Sequence, residues 1–84
     1  MNDNKKNMNW TKDPTIARVE ELVSPSGRFK FIVKPDEGAP EDYAVYISYK
    51  DDWATNRYIR TFDSDMEKAK SFVENLIKEI KTME

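Results

Sequence analysis

The chain has 84 residues, of which 36% are charged and 38% hydrophobic, and its formal net charge is −2. This length predicts one domain, and the four Phe, four Tyr and two Trp predict a folded core. The absence of cysteine and histidine excludes disulfides, thiolate metal sites and the commonest general base, and the acidic balance argues against a globally basic nucleic-acid-binding protein.

The N-terminal residues are polar, and residues 1–9 predict a flexible arm. A single α+β domain is then expected over residues 10–84, with Trp10 as the first residue to contact the core. No apolar run is long enough to span a membrane, and no apolar segment follows Met1 as a signal peptide requires. We therefore expect a cytoplasmic protein that makes no membrane contact.

Residues 13–23 have two interpretations. Asp13 followed by Pro14 is typical of a helix N-terminus, and apolar residues then recur near helical spacing. The segment also leads into residues 24–27, whose sequence Ser-Pro-Ser-Gly is typical of a β-turn and favours a strand over residues 18–23. We favour the strand, and the choice distinguishes a ββββα order from αβββα.

The later elements are clearer. Residues 28–34, 43–50 and 57–62 alternate apolar and polar positions and predict strands, with a short turn carrying Trp53 before the last of them. An apolar stripe over residues 65–82 predicts a helix, capped by Asp63 or by Ser64, the latter in a capping box with Glu67. The expected fold is α+β: a small antiparallel meander sheet of three to four strands with the C-terminal helix packed on one face.

Charge is unevenly distributed along these elements. The three secure strands carry six basic residues and no acidic one, whereas seven carboxylates lie in the connection after the first of these strands and around the helix start. Both connections lie at one end of a meander, so we expect an acidic rim there, with Asp51 and Asp52 at the opposite end. The acidic rim comprises Asp36, Glu37, Glu41, Asp42, Asp63, Asp65 and Glu67.

The acidic rim would suit a protein partner with a basic groove, because complementary charge speeds encounter and gives selectivity. The carboxylates at the helix start also complement its dipole, but those in the earlier loop have no such structural reason. An exposed Trp is a frequent binding anchor. The candidate partner-binding residues are Asp36, Glu37, Glu41, Asp42, Asp63, Asp65 and Trp53.

The sheet face away from the helix is a second candidate surface. Cations there would contact phosphates and aromatic rings would stack on bases, or the face could be buried in a homodimer. In the last strand, strict alternation puts Tyr58, Arg60 and Phe62 on one face and Arg57, Ile59 and Thr61 on the other. The candidate nucleic-acid-binding residues are Lys30, Lys34, Tyr46, Lys50, Arg57 and Arg60.

The sequence predicts neither an enzyme nor a cofactor, because it contains no GxSxG, P-loop or Ser-x-x-Lys motif. Asp63, Asp65 and Glu67 alternate as calcium ligands do, but the glycine and the twelve-residue spacing of a helix-loop-helix site are absent, so no metal site is predicted.

Residues 28–81 resemble the arm-binding domains of phage integrases and the plant ethylene-response DNA-binding domains. The likeness lies in three strands followed by a helix, in the junction Arg-Thr-Phe-Asp-Ser at residues 60–64, and in Ala69. In that family the sheet enters the DNA groove, which here would implicate Lys30, Lys34, Tyr46, Arg57 and Arg60.

Small, acidic, cysteine-free domains without catalytic groups are also similar to phage-encoded inhibitors, including anti-CRISPR proteins and DNA mimics. We therefore expect a small non-enzymatic binding protein that inhibits or modulates a nucleic-acid-handling partner by occluding its basic site with the acidic rim. The alternative is a small nucleic-acid-binding module that uses the open face of its sheet.

Overall fold

The computed structural model describes residues 9–83, and the side chains of residues 9–80; the predicted arm, apart from Asn9, lies outside this range. Over these residues the chain forms a five-stranded antiparallel sheet, in the spatial order β1-β2-β3-β4-β5, followed by a helix. The predicted α+β meander with a C-terminal helix is confirmed, with one more strand than expected. The elements are β1 (Thr11–Lys12), β2 (Glu20–Val23), β3 (Phe29–Pro35), β4 (Tyr43–Tyr49), β5 (Asp52–Phe62) and α1 (Met66–Met83).

The helical interpretation of residues 13–23 is wrong, because residues 13–19 form the loop from β1 to β2 and residues 20–23 form β2 itself. Asp13 does act as a cap: its Oδ1 accepts hydrogen bonds from the amides of Thr15 and Ile16, both at 2.8 Å, and they hold the pKa of Asp13 below its ordinary value. Arg18 then adopts a left-handed backbone (φ 65°), which a helix does not allow. The amide of Asp13 closes the loop on the carbonyl of Val19 at 2.9 Å.

One face of the sheet packs against α1. Successive side chains of β2, β3 and β4 point to opposite faces of the sheet, and α1 carries its apolar residues on the side that meets one of these faces. Trp10 is partly buried against this core, and its Nε1 donates to Glu74 Oε2 at 2.9 Å. Lys70 lies over the Trp10 ring and forms an ion pair with Glu20 at 2.9 Å. These contacts tie the N-terminal strands to α1. The buried cluster comprises Leu22, Phe31, Val33, Val45, Ala69, Val73 and Ile77.

Strand β5 is longer than predicted, because it begins at Asp52 and includes most of the expected turn. Two irregularities interrupt its pairing with β4. Between Tyr49↔Asp52 and Ile47↔Arg57, β5 advances five residues against two in β4. A second irregularity follows Tyr58, so strict alternation along the last strand is wrong.

Helix α1 begins one residue after its cap, Asp65, whose Oδ1 accepts the amides of Glu67 at 3.0 Å and Lys68 at 3.3 Å. The predicted caps, Asp63 and Ser64, and the predicted capping box are therefore wrong. Ser64 has φ 42°, a left-handed turn that joins β5 to the helix and leaves the capping position to the next residue. Within the described residues, α1 is too polar to cross a membrane.

Candidate functional site

The two acidic connections meet at one end of the sheet. The backbone amide of Ser64, between β5 and α1, donates a hydrogen bond to Asp42 Oδ1, in the β3–β4 loop, at 3.0 Å. The hydroxyl of Thr61, near the end of β5, reaches Asp36 Oδ2 at 3.3 Å. The structure therefore brings the loop carboxylates of the acidic rim beside those at the helix start.

Three carboxylates of the acidic rim hold the backbone of these connections. Asp36 Oδ1 accepts the amide of Gly38 at 3.0 Å, Asp42 accepts that of Ser64, and Asp65 caps α1. These side chains are partly buried, and charge reversal there would disturb the fold as well as the surface.

The other four carboxylates of the acidic rim are exposed. Glu67 lies 3.9 Å from Lys70 Nζ with 82% of its side chain exposed, and no ion pair between described residues involves Glu37, Glu41 or Asp63. The charges of these four side chains therefore face solvent, and within residues 9–80 none of the four accepts a hydrogen bond that holds the fold together.

Trp53 lies at the other end of the sheet from the acidic rim. It is the second residue of β5, near the pair Tyr49↔Asp52, whereas the acidic rim adjoins the pair Tyr43↔Phe62. Six residue steps along β4 separate these pairs, or about 20 Å. The structure therefore does not bring Trp53 and the acidic rim into one contact surface.

The face of the sheet opposite α1 carries a compact group of cations and rings. Lys30 Nζ lies 5.2 Å from the centroid of the Trp53 ring, and Lys34 Nζ lies 4.8 Å from that of Tyr46. Tyr46 and Tyr58 meet edge to face with centroids 5.8 Å apart. We call these five residues the lysine–aromatic cluster; its most exposed ring, Tyr58, is 60% accessible, and Trp53 is 38% accessible.

The sheet beneath this cluster is buried although no helix covers it. Ile32 is 6% exposed and Ala44 and Ser48 are 0% exposed. Ser48 pairs with Lys30 across the ladder, and Trp53 reaches Lys30 from the far side of β4, so both large side chains lie beside Ser48. Ser48 Oγ has no hydrogen-bond partner among the described residues, which costs about 1–3 kcal/mol.

The residues predicted to bind nucleic acid do not all share this face. Arg57 pairs with Ile47 and lies 5.7 Å over the Tyr49 ring, on the helix side of the sheet. Arg60 also lies on the helix side, stacked 5.0 Å from the Phe62 ring centroid and 5.7 Å from that of Phe72. Lys50 follows β4 in the turn. Of the predicted set, the structure groups only Lys30, Lys34 and Tyr46.

Sequence reasoning missed Tyr58 as a member of the open face. Tyr58 pairs with Tyr46, but the irregularity that follows it puts Arg60, two residues later, opposite Val45 on the other face. No glycine or proline in β5 marks this change, and alternation alone predicts the wrong side for either Tyr58 or Arg60.

Burial and charge both act on the hydroxyl of Tyr46. Its pKa is raised above the ordinary value, first because burial disfavours the phenolate and then because Glu37 and Asp36 repel it. The acidic rim thus reaches electrostatically to the near end of the lysine–aromatic cluster.

Comparison of the chain with models of protein families, with curated proteins and with solved structures gave no match. Within residues 9–83, no group of three or more acidic side chains is arranged to hold a metal ion.

Proposed function

We propose that this protein is a small non-enzymatic binding protein that occludes a basic site on a nucleic-acid-handling partner. The acidic rim would occupy the place of phosphates in that site. The observation that carries the proposal is the hydrogen bond from the Ser64 amide to Asp42, because it joins two acidic connections into one surface.

The electrostatics of the acidic rim support a role in binding. Like charges held close together repel and lower stability, and among the described residues only Glu67 of the acidic rim has an ion pair, at 3.9 Å from Lys70 Nζ. Asp36, Asp42 and Asp65 have structural hydrogen bonds that explain them. The exposed carboxylates have none, and they are the ones that a partner can reach.

Occlusion by such a surface follows from simple electrostatics. Exposed carboxylates attract a basic groove over a distance of one Debye length, about 8 Å at physiological ionic strength, and speed the encounter. At contact, Arg or Lys side chains of the partner would form charge-assisted hydrogen bonds with Glu37, Glu41 and Asp63. The groove is then unavailable to phosphates, and binding weakens as salt rises.

The test uses two variants with identical net charge. Glu37→Lys with Glu41→Lys reverses two exposed carboxylates of the acidic rim, and Asp51→Lys with Asp52→Lys reverses two exposed carboxylates at the opposite end. We expect affinity capture from extract of the source cells to retain a DNA- or RNA-binding protein on the wild type and on the opposite-end variant, but not on the rim variant.

Competition then tests the mechanism with the captured partner in purified form. Unlabelled protein should displace a fluorescent duplex from this partner, and the rim variant should fail to do so at about a tenfold higher concentration. A partner that binds the duplex and this protein simultaneously, or that retains the rim variant, would contradict occlusion by the acidic rim.

A further inference from the structure

The lysine–aromatic cluster lies on the sheet face that α1 leaves uncovered, and its chemistry is opposite to that of the acidic rim. We propose that this cluster is a binding site for single-stranded nucleic acid. Bases stack on Tyr58 and Trp53, and the adjoining phosphates contact Lys34 and Lys30. This function is separate from occlusion by the acidic rim and does not depend on it.

The rings are placed for stacking. Tyr58 is 60% exposed and Trp53 is 38% exposed, on a face where the smaller side chains beneath are buried. Tyr46 contacts Tyr58 edge to face at 5.8 Å, and the Tyr58 hydroxyl lies 2.7 Å from Thr61 Oγ1. These two contacts fix one ring and leave it accessible, and every base has a flat face that can stack on it.

The cations are placed for phosphates. Each lysine amine lies close to a ring, at 5.2 Å for Lys30 and Trp53 and at 4.8 Å for Lys34 and Tyr46. A nucleotide joins a flat base to an anionic phosphate through one sugar, so a ring with a neighbouring cation matches both parts. Lys30 and Lys34 are four residues apart in β3, which separates the two sites by about 13 Å.

The surroundings favour a single strand over a duplex or a second copy of the chain. In a duplex the bases stack on each other and their faces are inaccessible to the rings. Glu21, which pairs with Ile32, and Asp36, which accepts from Thr61, flank the cluster and repel a backbone that extends beyond it. A second copy docked on this face would remove the charged amines of Lys30 and Lys34 from water, which is unfavourable unless each amine meets a carboxylate.

Ser48 supplies a separate observation. Its hydroxyl lies at the Lys30–Trp53 end of the cluster, 0% exposed and without a hydrogen-bond partner among the described residues. Lys30, which pairs with Ser48, lies over the ring of Trp53, and this ring is 38% exposed. A nucleotide stacked on Trp53 would therefore lie near a buried donor that has no partner in the described part of the protein, and a bond to it requires the neighbouring side chains to move.

Binding is measured by fluorescence anisotropy with a labelled oligothymidine of about 12 nucleotides and with a duplex of the same length. We expect the full chain to bind the single strand more tightly than the duplex. Two phosphate contacts predict a slope of about −1.4 for log K against log salt, or roughly fivefold weaker binding between about 50 and 150 mM salt.

Matched variants locate the site. Tyr58→Ala should weaken binding about tenfold through loss of one stacked base, whereas Tyr49→Ala removes an exposed ring on the helix side and should change little. Lys30→Ala with Lys34→Ala should abolish the salt dependence. Lys12→Ala with Lys68→Ala removes the same charge elsewhere and should leave it unchanged.

Four results would each overturn the proposal. Two concern the ligand: the single strand does not bind at low salt although thermal unfolding of the protein is cooperative, or the duplex binds equally or more tightly. The other two concern the site: the control variants lose as much affinity as the site variants, or sedimentation shows a dimer that Tyr58→Glu dissociates. Duplex binding would instead favour insertion of the sheet into a groove, and the dimer would assign the face to a second copy.

Discussion

At the scale of single residues, Tyr46 connects the two candidate surfaces. Its ring belongs to the lysine–aromatic cluster, while burial, then Glu37 and Asp36, raise the pKa of its hydroxyl. A raised pKa in the folded state means that the unfolded chain loses this proton first as pH rises. The associated stability is complete below the unfolded value near 10 and is lost as pH rises through the higher folded pKa.

We predict that Glu37→Gln lowers the pKa of Tyr46 toward its ordinary value, because it removes the carboxylate that acts most strongly on this hydroxyl. Glu41→Gln removes a carboxylate from the same loop that is not among the charges acting on this hydroxyl, so it should leave the pKa of Tyr46 unchanged. The measurement is a ¹³C NMR titration of labelled tyrosines, with the Tyr46 signal assigned through Tyr46→Phe. Equal shifts in both variants would show that the effect is nonspecific.

At the scale of elements, the start of α1 depends on Asp65, which accepts two backbone amides that otherwise lack a partner in the helix. We predict that Asp65→Ala lowers the free energy of unfolding by about 1 kcal/mol. Asp63→Ala removes an exposed neighbouring carboxylate and should change it by less than about 0.5 kcal/mol. Urea denaturation measures both, and a larger loss for Asp63→Ala would contradict the assignment of the cap.

The sequence predicts the elements whose pattern is local. Strands β3 and β4 follow from alternation, and α1 follows from its apolar stripe. It does not predict β1, because two residues have no periodicity and pair only when β2 is already in place. It also cannot resolve residues 13–19, where Asp13 forms a helix-type cap but Arg18 ends the turn.

Candidate sites are predictable to the extent that they depend on connectivity. The acidic rim follows from meander order, because alternate connections lie at the same end of a sheet. The lysine–aromatic cluster depends on the register of β5, in which several extra residues interrupt the pairing with β4. Sequence alternation therefore identifies Lys30, Lys34 and Tyr46 but cannot bring Trp53 and Tyr58 to them.

At the scale of the whole molecule, charge is separated along the strands. The acidic rim lies at one end of the sheet, and Asp51 and Asp52 lie at the other. There, Lys50 precedes Asp51 in the chain, and Arg57 lies over the ring of Tyr49, which pairs with Asp52. Repulsion within the acidic rim should therefore lower stability most at low ionic strength, where the Debye length is about 30 Å rather than about 8 Å.

We predict that Glu37→Lys with Glu41→Lys raises the thermal midpoint at about 10 mM salt by roughly 2–4 °C, because repulsion is replaced by attraction at an exposed site. The gain should disappear near physiological salt, where these charges are screened. Asp51→Lys with Asp52→Lys also changes the net charge from −2 to +2 but places the new cations beside existing ones, so the midpoint should not rise. Because the two variants have the same net charge, a difference between their midpoints that disappears with added salt reports the position of the charges. Differential scanning calorimetry at both ionic strengths measures that difference, and equal responses would mean that net charge alone governs the stability of this chain.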